Sequence, residues 1–235
     1  MLFASTTVLA LARLVATEER YGAARDEYAA LGQARDEPPH RGEEQGPVPG
    51  KRPEVPPTAQ DPRELNPDFV GWIDIPGTAI TYPVVAGHDN EEYLSTTFAG
   101  TQNAAGAIFM DSRCSPGFDE SLCVIYGHNM RDGSMFAGLN QYLDDEYAEQ
   151  HGQINVVTAD GDRRVYVVTS VRVTNTDDPV FGLPGAAPLK IREYLAQLGL
   201  PDSTTVIALS TCTDSRSPDE RLVVLATRSQ SPART

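Results

Sequence analysis

Eight short runs of β-branched and aromatic residues follow one another after residue 61, and they restrict the possible folds more than any other feature. Turn-forming residues separate them, such as residues 77–78 and 159–162. The runs cover residues 70–76, 79–85, 106–111, 121–127, 152–159, 163–173, 203–212 and 221–228. Only two stretches, 134–152 and 187–200, have helical spacing. We therefore predict a mainly β fold in which the strands form a closed or nearly closed barrel, because closure leaves no edge strand unpaired.

Composition changes along the chain and divides it into segments. Residues rich in Ala, Glu and Arg favour a helical arm, and a following stretch dense in Pro and Gly is typical of a linker. We assign an apolar N-terminal segment, a helical arm, a linker, a folded domain and a tail to residues 1–17, 18–37, 38–60, 61–228 and 229–235.

The apolar N-terminal segment has two interpretations. A membrane-spanning helix needs about 20 apolar residues, so this segment is short, and it contains Arg13. It is either the remnant of a membrane anchor whose upstream part is missing or an ordinary amphipathic helix.

Charge and cysteine content narrow the function classes. The formal net charge of −14 argues against a nucleic-acid partner, which would need a basic face, and is compatible with basic or amine-bearing partners. The odd number of cysteines fits either a reducing compartment or one disulfide plus one free thiol. Cys114 and Cys123 are close enough in sequence to bridge a loop, and two unpaired, partly buried thiols are the equal alternative.

Cys212 and Arg221 stand at the end of one predicted strand and the start of the next. If these strands pair as antiparallel neighbours, the guanidinium lies beside the thiol. Its fixed N–H donors would then stabilise the negative charge of a tetrahedral intermediate. The alternatives are a cysteine that merely packs in the core and a surface arginine paired with Asp219 or Glu220.

His128 follows a predicted strand directly, so it also stands at a strand end. The other histidines, His40, His88 and His151, lie in the linker or in loop-like contexts. An imidazole with a pKa of about 6.5 exchanges protons near neutral pH, and a nearby imidazole or guanidinium favours the thiolate of a cysteine. His128 with Cys212 and Arg221 therefore predicts nucleophilic cysteine chemistry.

The chain resembles the sortases, and among them the class B sortases. The resemblance rests on the segments NPDFVGWIDIPGTAITYPVV, DNEEYL, GAIFMDSRC, VIYGHNMRDGSMFAGLNQYL and VIALSTC, which occur in this order and are followed by Arg221. Each segment alone is weak evidence for the family, but the ordered set is highly specific for it. The resemblance extends from Asp61 to Arg228. It implies an eight-stranded sortase-type barrel with flanking helices, an N-terminal helical arm and an extra helix at residues 186–199, before the cysteine strand.

The resemblance implies a cysteine transpeptidase on the extracytoplasmic face of the cell membrane of a Gram-positive bacterium, held by a single N-terminal anchor. Cys212 would attack the backbone carbonyl of a C-terminal sorting signal, His128 would protonate the leaving amine, and Arg221 would hold the peptide and the oxyanion. The thioacyl-enzyme would then pass the acyl group to an amine of a peptidoglycan precursor or to a pilin lysine. The resemblance also assigns three residues to the substrate groove: Asn90, Leu94 and Ser210.

Three features depart from the class B pattern. The anchor segment is short and contains Arg13, which puts membrane attachment by this chain in question. Cys114 and Cys123 are not part of the pattern, and a local disulfide in an oxidising exterior is one interpretation of them. Thr213 follows the nucleophile where relatives can carry an acidic residue, so we expect a different peptide preference.

Other protein classes fit the same residues less well. An L,D-transpeptidase usually has a glycine next to its nucleophilic cysteine, which LSTCT lacks, and a papain-like protease has its cysteine before its histidine. A zinc-binding module would use Cys114, Cys123 and His128, but their spacing is not typical of a zinc site. A non-catalytic surface β-barrel is a further alternative. We predict no metal and no cofactor.

Overall fold

The structure is a computed structural model, and it describes residues 21–33, 35, 61–201, 204–213 and 217–229. The apolar segment 1–17, the linker 38–60 and all but the first residue of the tail 229–235 lie outside these residues. Within the predicted arm, residues 21–33 form a helix, α1. None of the helices in the described part of the chain is both long enough and apolar enough to cross a lipid bilayer.

Eight strands close into a barrel, which confirms the predicted fold class. They are β1 (Phe69–Asp74), β2 (Thr81–Val85), β3 (Ile108–Met110), β4 (Leu122–Tyr126), β5 (Gln153–Thr158), β6 (Arg163–Asn175), β7 (Val206–Cys212) and β8 (Glu220–Arg228). Their order around the barrel is β1-β2-β3-β4-β7-β8-β6-β5. The pairs β2–β3 and β4–β7 are parallel, and the other neighbours are antiparallel.

The remaining elements are short helices. They are α2 (Pro62–Leu65), α3 (Asp145–Gln150), α4 (Pro179–Gly182) and α5 (Pro188–Gln197), with 3-10 helices at Glu92–Leu94 and Ala137–Leu143. Helix α5 confirms the helix predicted before the cysteine strand. The stretch of helical spacing at residues 134–152 contains two helices rather than one, because Asp144 is extended (φ −92°, ψ 120°) and its side chain accepts from the Tyr147 amide at 3.1 Å. That N-cap ends the 3-10 helix and starts α3 as a separate element.

Strands β4 and β7 are buried on both faces, because the barrel interior covers one face and helix α5 covers the other. Ile207 and Leu209 belong to the main core. Val206 and Ala208, on the opposite face, pack in a second apolar cluster with Leu195 of α5. Strand β5 instead alternates between buried and accessible residues, which is typical of a strand with one covered face. The β4–β7–β8 part of the barrel is therefore the most enclosed platform of the fold.

Helix α1 is attached to the β2–β3 connection by buried hydrogen bonds. The hydroxyl of Tyr28 donates to the carbonyl of Gly106 at 2.7 Å and accepts from the Phe98 amide at 3.1 Å. The Glu27 carboxylate accepts from the Thr97 hydroxyl at 2.9 Å. Helix α1 thus stabilises the β2–β3 connection, which contains two of the predicted groove residues, Asn90 and Leu94.

Candidate active site

The strand register places the three predicted catalytic residues in one row. Cys212 lies directly opposite Arg221 in the antiparallel β7–β8 pair, as the sequence predicts. In the parallel β4–β7 pair, Tyr126 is the partner of Ser210. His128 and Cys212 each follow this pair by two residues, so both stand at the same end of the two parallel strands.

All six residues that the sequence assigned to the site line one cavity of about 280 Å³: Asn90, Leu94, His128, Ser210, Cys212 and Arg221. Their placement agrees with the assigned roles, which remain predictions. Much of the remaining wall is aromatic. The Tyr126 ring lies 5.2 Å from that of Phe109 and 6.3 Å from that of Phe181, measured between centroids. The cavity therefore combines a few polar groups with an apolar wall, as small-molecule and peptide sites do.

Cys212 is the accessible thiol of the chain, because its side chain is exposed whereas Cys114 and Cys123 are buried. Residues two apart on a strand share a face, so Ser210 points to the same side as Cys212. The Ser210 hydroxyl is buried and has no hydrogen-bond partner among the described residues. The hydroxyl of the next residue, Thr211, is buried and unpartnered in the same way.

The ring of His128 is oriented by the backbone. Its Nε2 lies 2.8 Å from the carbonyl oxygen of Leu94, and a carbonyl can only accept, so Nε2 carries the hydrogen of this bond. The other nitrogen, Nδ1, is then the one left for proton exchange. Leu94 therefore has a backbone role at the site in addition to its position in the cavity wall.

Gly127 allows the end of β4 to approach β7 closely. Its amide donates to the carbonyl of Ser210 at 3.1 Å, which extends the ladder by one residue towards His128. A Cβ at this position would lie 2.5 Å from Ile108 Cδ1 and 2.6 Å from Phe136 Cγ. A side chain here would therefore push the strand end and His128 away from Cys212.

The β7–β8 connection holds one end of the Arg221 guanidinium. Nη1 donates to the carbonyl oxygens of Pro218 at 2.7 Å and Glu220 at 2.9 Å. The carboxylate of Glu220 accepts instead from the Thr213 hydroxyl at 2.5 Å. A guanidinium also has N–H groups on Nε and Nη2, so an arginine held in this way can donate to a substrate oxygen.

A carboxylate with no exposed surface lies behind the cavity wall. Asp111 accepts from Arg113 Nε and Nη2, both at 2.8 Å, from the Tyr126 hydroxyl at 2.9 Å and from Asn90 Nδ2 at 3.0 Å. Arg113 Nη2 also donates to the carbonyl of Phe181 at 2.7 Å. Burial opposes ionisation of Asp111, but these hydrogen bonds outweigh it and hold its pKa below the ordinary value. This ion pair, in which the carboxylate is buried and the guanidinium is partly exposed, thus contacts three residues that line the cavity: Asn90, Tyr126 and Phe181.

Tyr126 stays protonated in this network. Burial, and next the negative charge of Asp111, raise the pKa of its phenol far above the ordinary value. It therefore acts as a hydrogen-bond donor to Asp111 throughout the physiological pH range, and its ring keeps a fixed orientation in the wall.

Asp111, Arg113 and Tyr126 were not among the residues predicted for the site. Tyr126 could have been found, since it ends a strand two residues before His128 and the strand-end position is what marked His128. An acidic and a basic residue two positions apart in a turn carry no such signal. Their importance depends on their contacts with Asn90 and Phe181, which are distant in sequence.

The zinc-binding alternative is not supported by the arrangement of its ligands. Cys114 and Cys123 pack in the main core, whereas His128 lines the cavity. Among the residues that the structure describes, no group of three or more His, Cys, Asp or Glu side chains could hold a metal ion.

Comparison with known proteins gives consistent matches. The family model of the sortase domain matches residues 73–229, which is more than half of the chain. A segment of 92 residues, 39% of this chain, is 44% identical to sortase B of Listeria monocytogenes and covers 37% of that protein. A segment of 124 residues, 53% of this chain, is 32% identical to sortase B of Staphylococcus aureus and covers 51% of it.

These two alignments span less than two thirds of each relative. The structural match is more extensive. The crystal structure of sortase B from Bacillus anthracis superimposes with a TM-score of 0.70 and 27% identity, covering 89% of this chain and 98% of that one. The chain belongs to the sortase family, and its relatives in both sequence and fold are class B sortases.

Proposed function

We propose that this chain is a cysteine transpeptidase that cleaves a C-terminal sorting signal of surface proteins and transfers the acyl group to an amine. The observation that carries the proposal is the row of His128, Cys212 and Arg221 along one cavity. An exposed thiol between a histidine and an arginine has the nucleophile, the proton carrier and the oxyanion donor that acyl transfer requires.

In the first half of the reaction, the Cys212 thiolate attacks a backbone carbonyl carbon of the sorting signal. The carbonyl oxygen takes the negative charge of the tetrahedral intermediate, and N–H groups of Arg221 donate to it. The C–N bond then breaks, and the protonated His128 ring gives its Nδ1 proton to the leaving amine. The product is a thioester on Cys212 with a neutral imidazole beside it.

In the second half, an acceptor amine attacks the thioester carbonyl. Neutral His128 takes the proton from the attacking nitrogen, the C–S bond breaks, and Cys212 leaves as the thiolate. The enzyme returns to its starting protonation state, so proton transfer balances over the cycle.

The cavity supports a peptide as the acyl donor. Its aromatic wall suits an apolar side chain, and the amide of Asn90, which Asp111 holds in place, suits a polar group of a peptide. For the acceptor we propose an amine of a peptidoglycan precursor or a pilin lysine. The strongly acidic chain is compatible with an amine-bearing acceptor, because it does not repel a cation.

The reaction is tested by trapping the acyl-enzyme. The chain is incubated with peptides that span the C-terminal segments of surface proteins encoded in the same genome, and its intact mass is measured. We expect an adduct that hydroxylamine removes, and no adduct on the Cys212→Ala variant. An adduct on that variant, or none on the parent chain with any peptide, would overturn the proposal. Acylation by peptidoglycan tetrapeptides alone would instead favour an L,D-transpeptidase.

We also propose that the protein acts on the extracytoplasmic face of the cell membrane, held by its N-terminus. The support is the apolar composition of residues 1–17. The test is fractionation of Gram-positive cells that express the full chain or a chain lacking residues 1–17. We expect the full chain in the membrane fraction and the shortened chain outside it. Recovery of the full chain outside the membrane fraction would contradict an N-terminal anchor.

A further inference from the structure

We propose that Cys114 and Cys123 form an intramolecular disulfide that closes the β3–β4 connection when the chain folds in an oxidising compartment. This inference concerns a part of the molecule that the proposed reaction does not use, and it holds or fails independently of the transpeptidase activity.

The two cysteines are neighbours in the barrel core. Cys114 follows β3, Cys123 lies on β4, and both belong to the main core, where they are 7% and 1% exposed. The sulfur of Cys114 lies 4.0 Å from the carbonyl oxygen of Leu122, the residue before Cys123. The sulfur of Cys123 lies 3.9 Å from the carbonyl oxygen of Val124. The neighbouring Cys114, and next burial, raise the pKa of Cys123. Bond formation requires the two side chains to turn towards each other.

The connection between the cysteines is held in shape by other contacts. The Glu120 carboxylate accepts from the amide of Ser115 at 3.0 Å and from its hydroxyl at 2.6 Å, which joins the two ends of the loop. Arg164 of β6 pairs with Asp119 at 2.8 Å, and Phe118 is buried at the tip. Because these contacts order the loop without a cross-link, they keep its two ends together, as a disulfide between Cys114 and Cys123 requires.

The alternative for the pair is two small apolar side chains that fill core space. Two observations favour the disulfide. Both side chains lie in the same core cluster, where the Cys114 sulfur contacts the residue before Cys123, and the two cysteines stand at the ends of a single short connection. The chemistry is thiol–disulfide exchange with an external small-molecule or protein disulfide. Cys114, the less buried thiol, attacks it as the thiolate and releases one external thiol. Cys123 then attacks the Cys114 sulfur and releases the second.

A disulfide at Cys114 would also affect the wall of the catalytic cavity. Cys114 directly follows Arg113, whose guanidinium holds Asp111 and the carbonyl of Phe181. A cross-link at Cys114 would restrain the turn that presents Arg113. We therefore expect the disulfide to stabilise the folded barrel and the wall of the cavity together.

The experiment uses the full chain, unfolded with a reductant and refolded in a glutathione redox buffer. Free thiols are then alkylated under denaturing conditions, and the protein is digested with trypsin. Cleavage after Arg113 and Arg131 places both cysteines in the peptide of residues 114–131, whereas Cys212 falls in a different peptide. We expect this peptide unalkylated and lighter by two hydrogens, with Cys212 alkylated. Alkylation of both Cys114 and Cys123 in this peptide, or a disulfide from either of them to Cys212, would overturn the proposal.

Stability supplies a second measurement. Adding a reductant to the refolded chain should lower its Tm by roughly 5 °C, because the unfolded chain regains the freedom of a closed loop. The Cys114→Ala and Cys123→Ala variants should show no dependence of Tm on the reductant, and Cys212→Ala should keep it. If a core variant does not fold, the peptide masses of the parent chain still decide the question. An equal Tm with and without reductant, for a chain whose thiols are all alkylated, would identify the pair as core packing.

Discussion

The Tyr126 hydroxyl donates to the Asp111 carboxylate at 2.9 Å, and this bond joins the wall of the catalytic cavity to an ion pair behind it. Tyr126 is the partner of Ser210 in the β4–β7 ladder, so the same residue also belongs to the strand pair that leads to His128 and Cys212. The cavity is therefore supported from two directions, by the barrel strands and by a buried carboxylate.

Replacement of Asp111 by Asn should destabilise the fold. Arg113, Tyr126 and Asn90 would lose their charged acceptor, and we expect the free energy of unfolding to fall by about 2 kcal/mol or more. Urea denaturation measures this. Glu149→Gln, an exposed charge removal on α3, is the matched control and should change stability by less than about 0.5 kcal/mol. Equal effects of the two substitutions would show that Asp111 has no special structural role.

The contribution of Asp111 should depend on pH in a defined direction. Because hydrogen bonds hold its pKa lower in the folded chain than in the unfolded chain, the unfolded state binds more protons at acidic pH. The stabilisation is complete above the unfolded pKa of about 4 and is lost as the pH falls through the folded pKa. The stability difference between parent and Asp111→Asn should therefore be constant above about pH 5 and shrink in acid. A difference that grows on acidification would contradict this assignment.

Replacement of Arg221 by Lys should impair acyl transfer without unfolding the barrel. A lysine keeps the charge but loses the fork of N–H donors, so we expect kcat/KM with a sorting peptide to fall by about a hundred-fold or more. Arg228→Lys, at the other end of β8, is the control and should retain activity. Full activity of Arg221→Lys would show that a point charge is sufficient and that oxyanion geometry is not the role of this residue.

Replacement of Gly127 by Ala should affect both packing and activity. The added methyl group would meet Ile108 and Phe136 at 2.5 and 2.6 Å, so we expect a loss of about 1–3 kcal/mol and a displaced His128. Thermal unfolding and acyl-enzyme formation measure the two effects. At Gly182, an added Cβ would meet nothing within 4 Å, so Gly182→Ala is the control. A Gly127→Ala variant as stable and active as Gly182→Ala would contradict the close approach of β4 and β7.

Replacement of Tyr28 by Phe should weaken the docking of α1. The Gly106 carbonyl and the Phe98 amide would lose their buried partner, at a cost of about 1–3 kcal/mol. Limited proteolysis should then cut within residues 21–33 faster than in the parent chain. Tyr21→Phe, on the same helix, is the control. Unchanged proteolysis in Tyr28→Phe would mean that apolar contacts alone hold the arm.

Much of this architecture could be predicted because its signals are local. The eight strands, helix α5 and the positions of Cys212 and Arg221 at neighbouring strand ends follow from apolar runs and turn residues. A strand's periodicity and a helix's stop signals depend on residues a few positions apart, which the sequence displays directly. The division of residues 134–152 was missed because an N-cap at Asp144 interrupts a pattern that continues on both sides of it.

The amino-acid sequence by itself determined the strand set, the family resemblance and the identity of the reactive groups. Only the tertiary structure decided that β4 runs parallel to β7, which places His128 and Cys212 at the same end of the barrel, and that Asp111 ties Asn90 and Tyr126 together. The physical reason is that parallel neighbours are joined by long crossovers, so their pairing is selected by burial on both faces rather than by any local pattern.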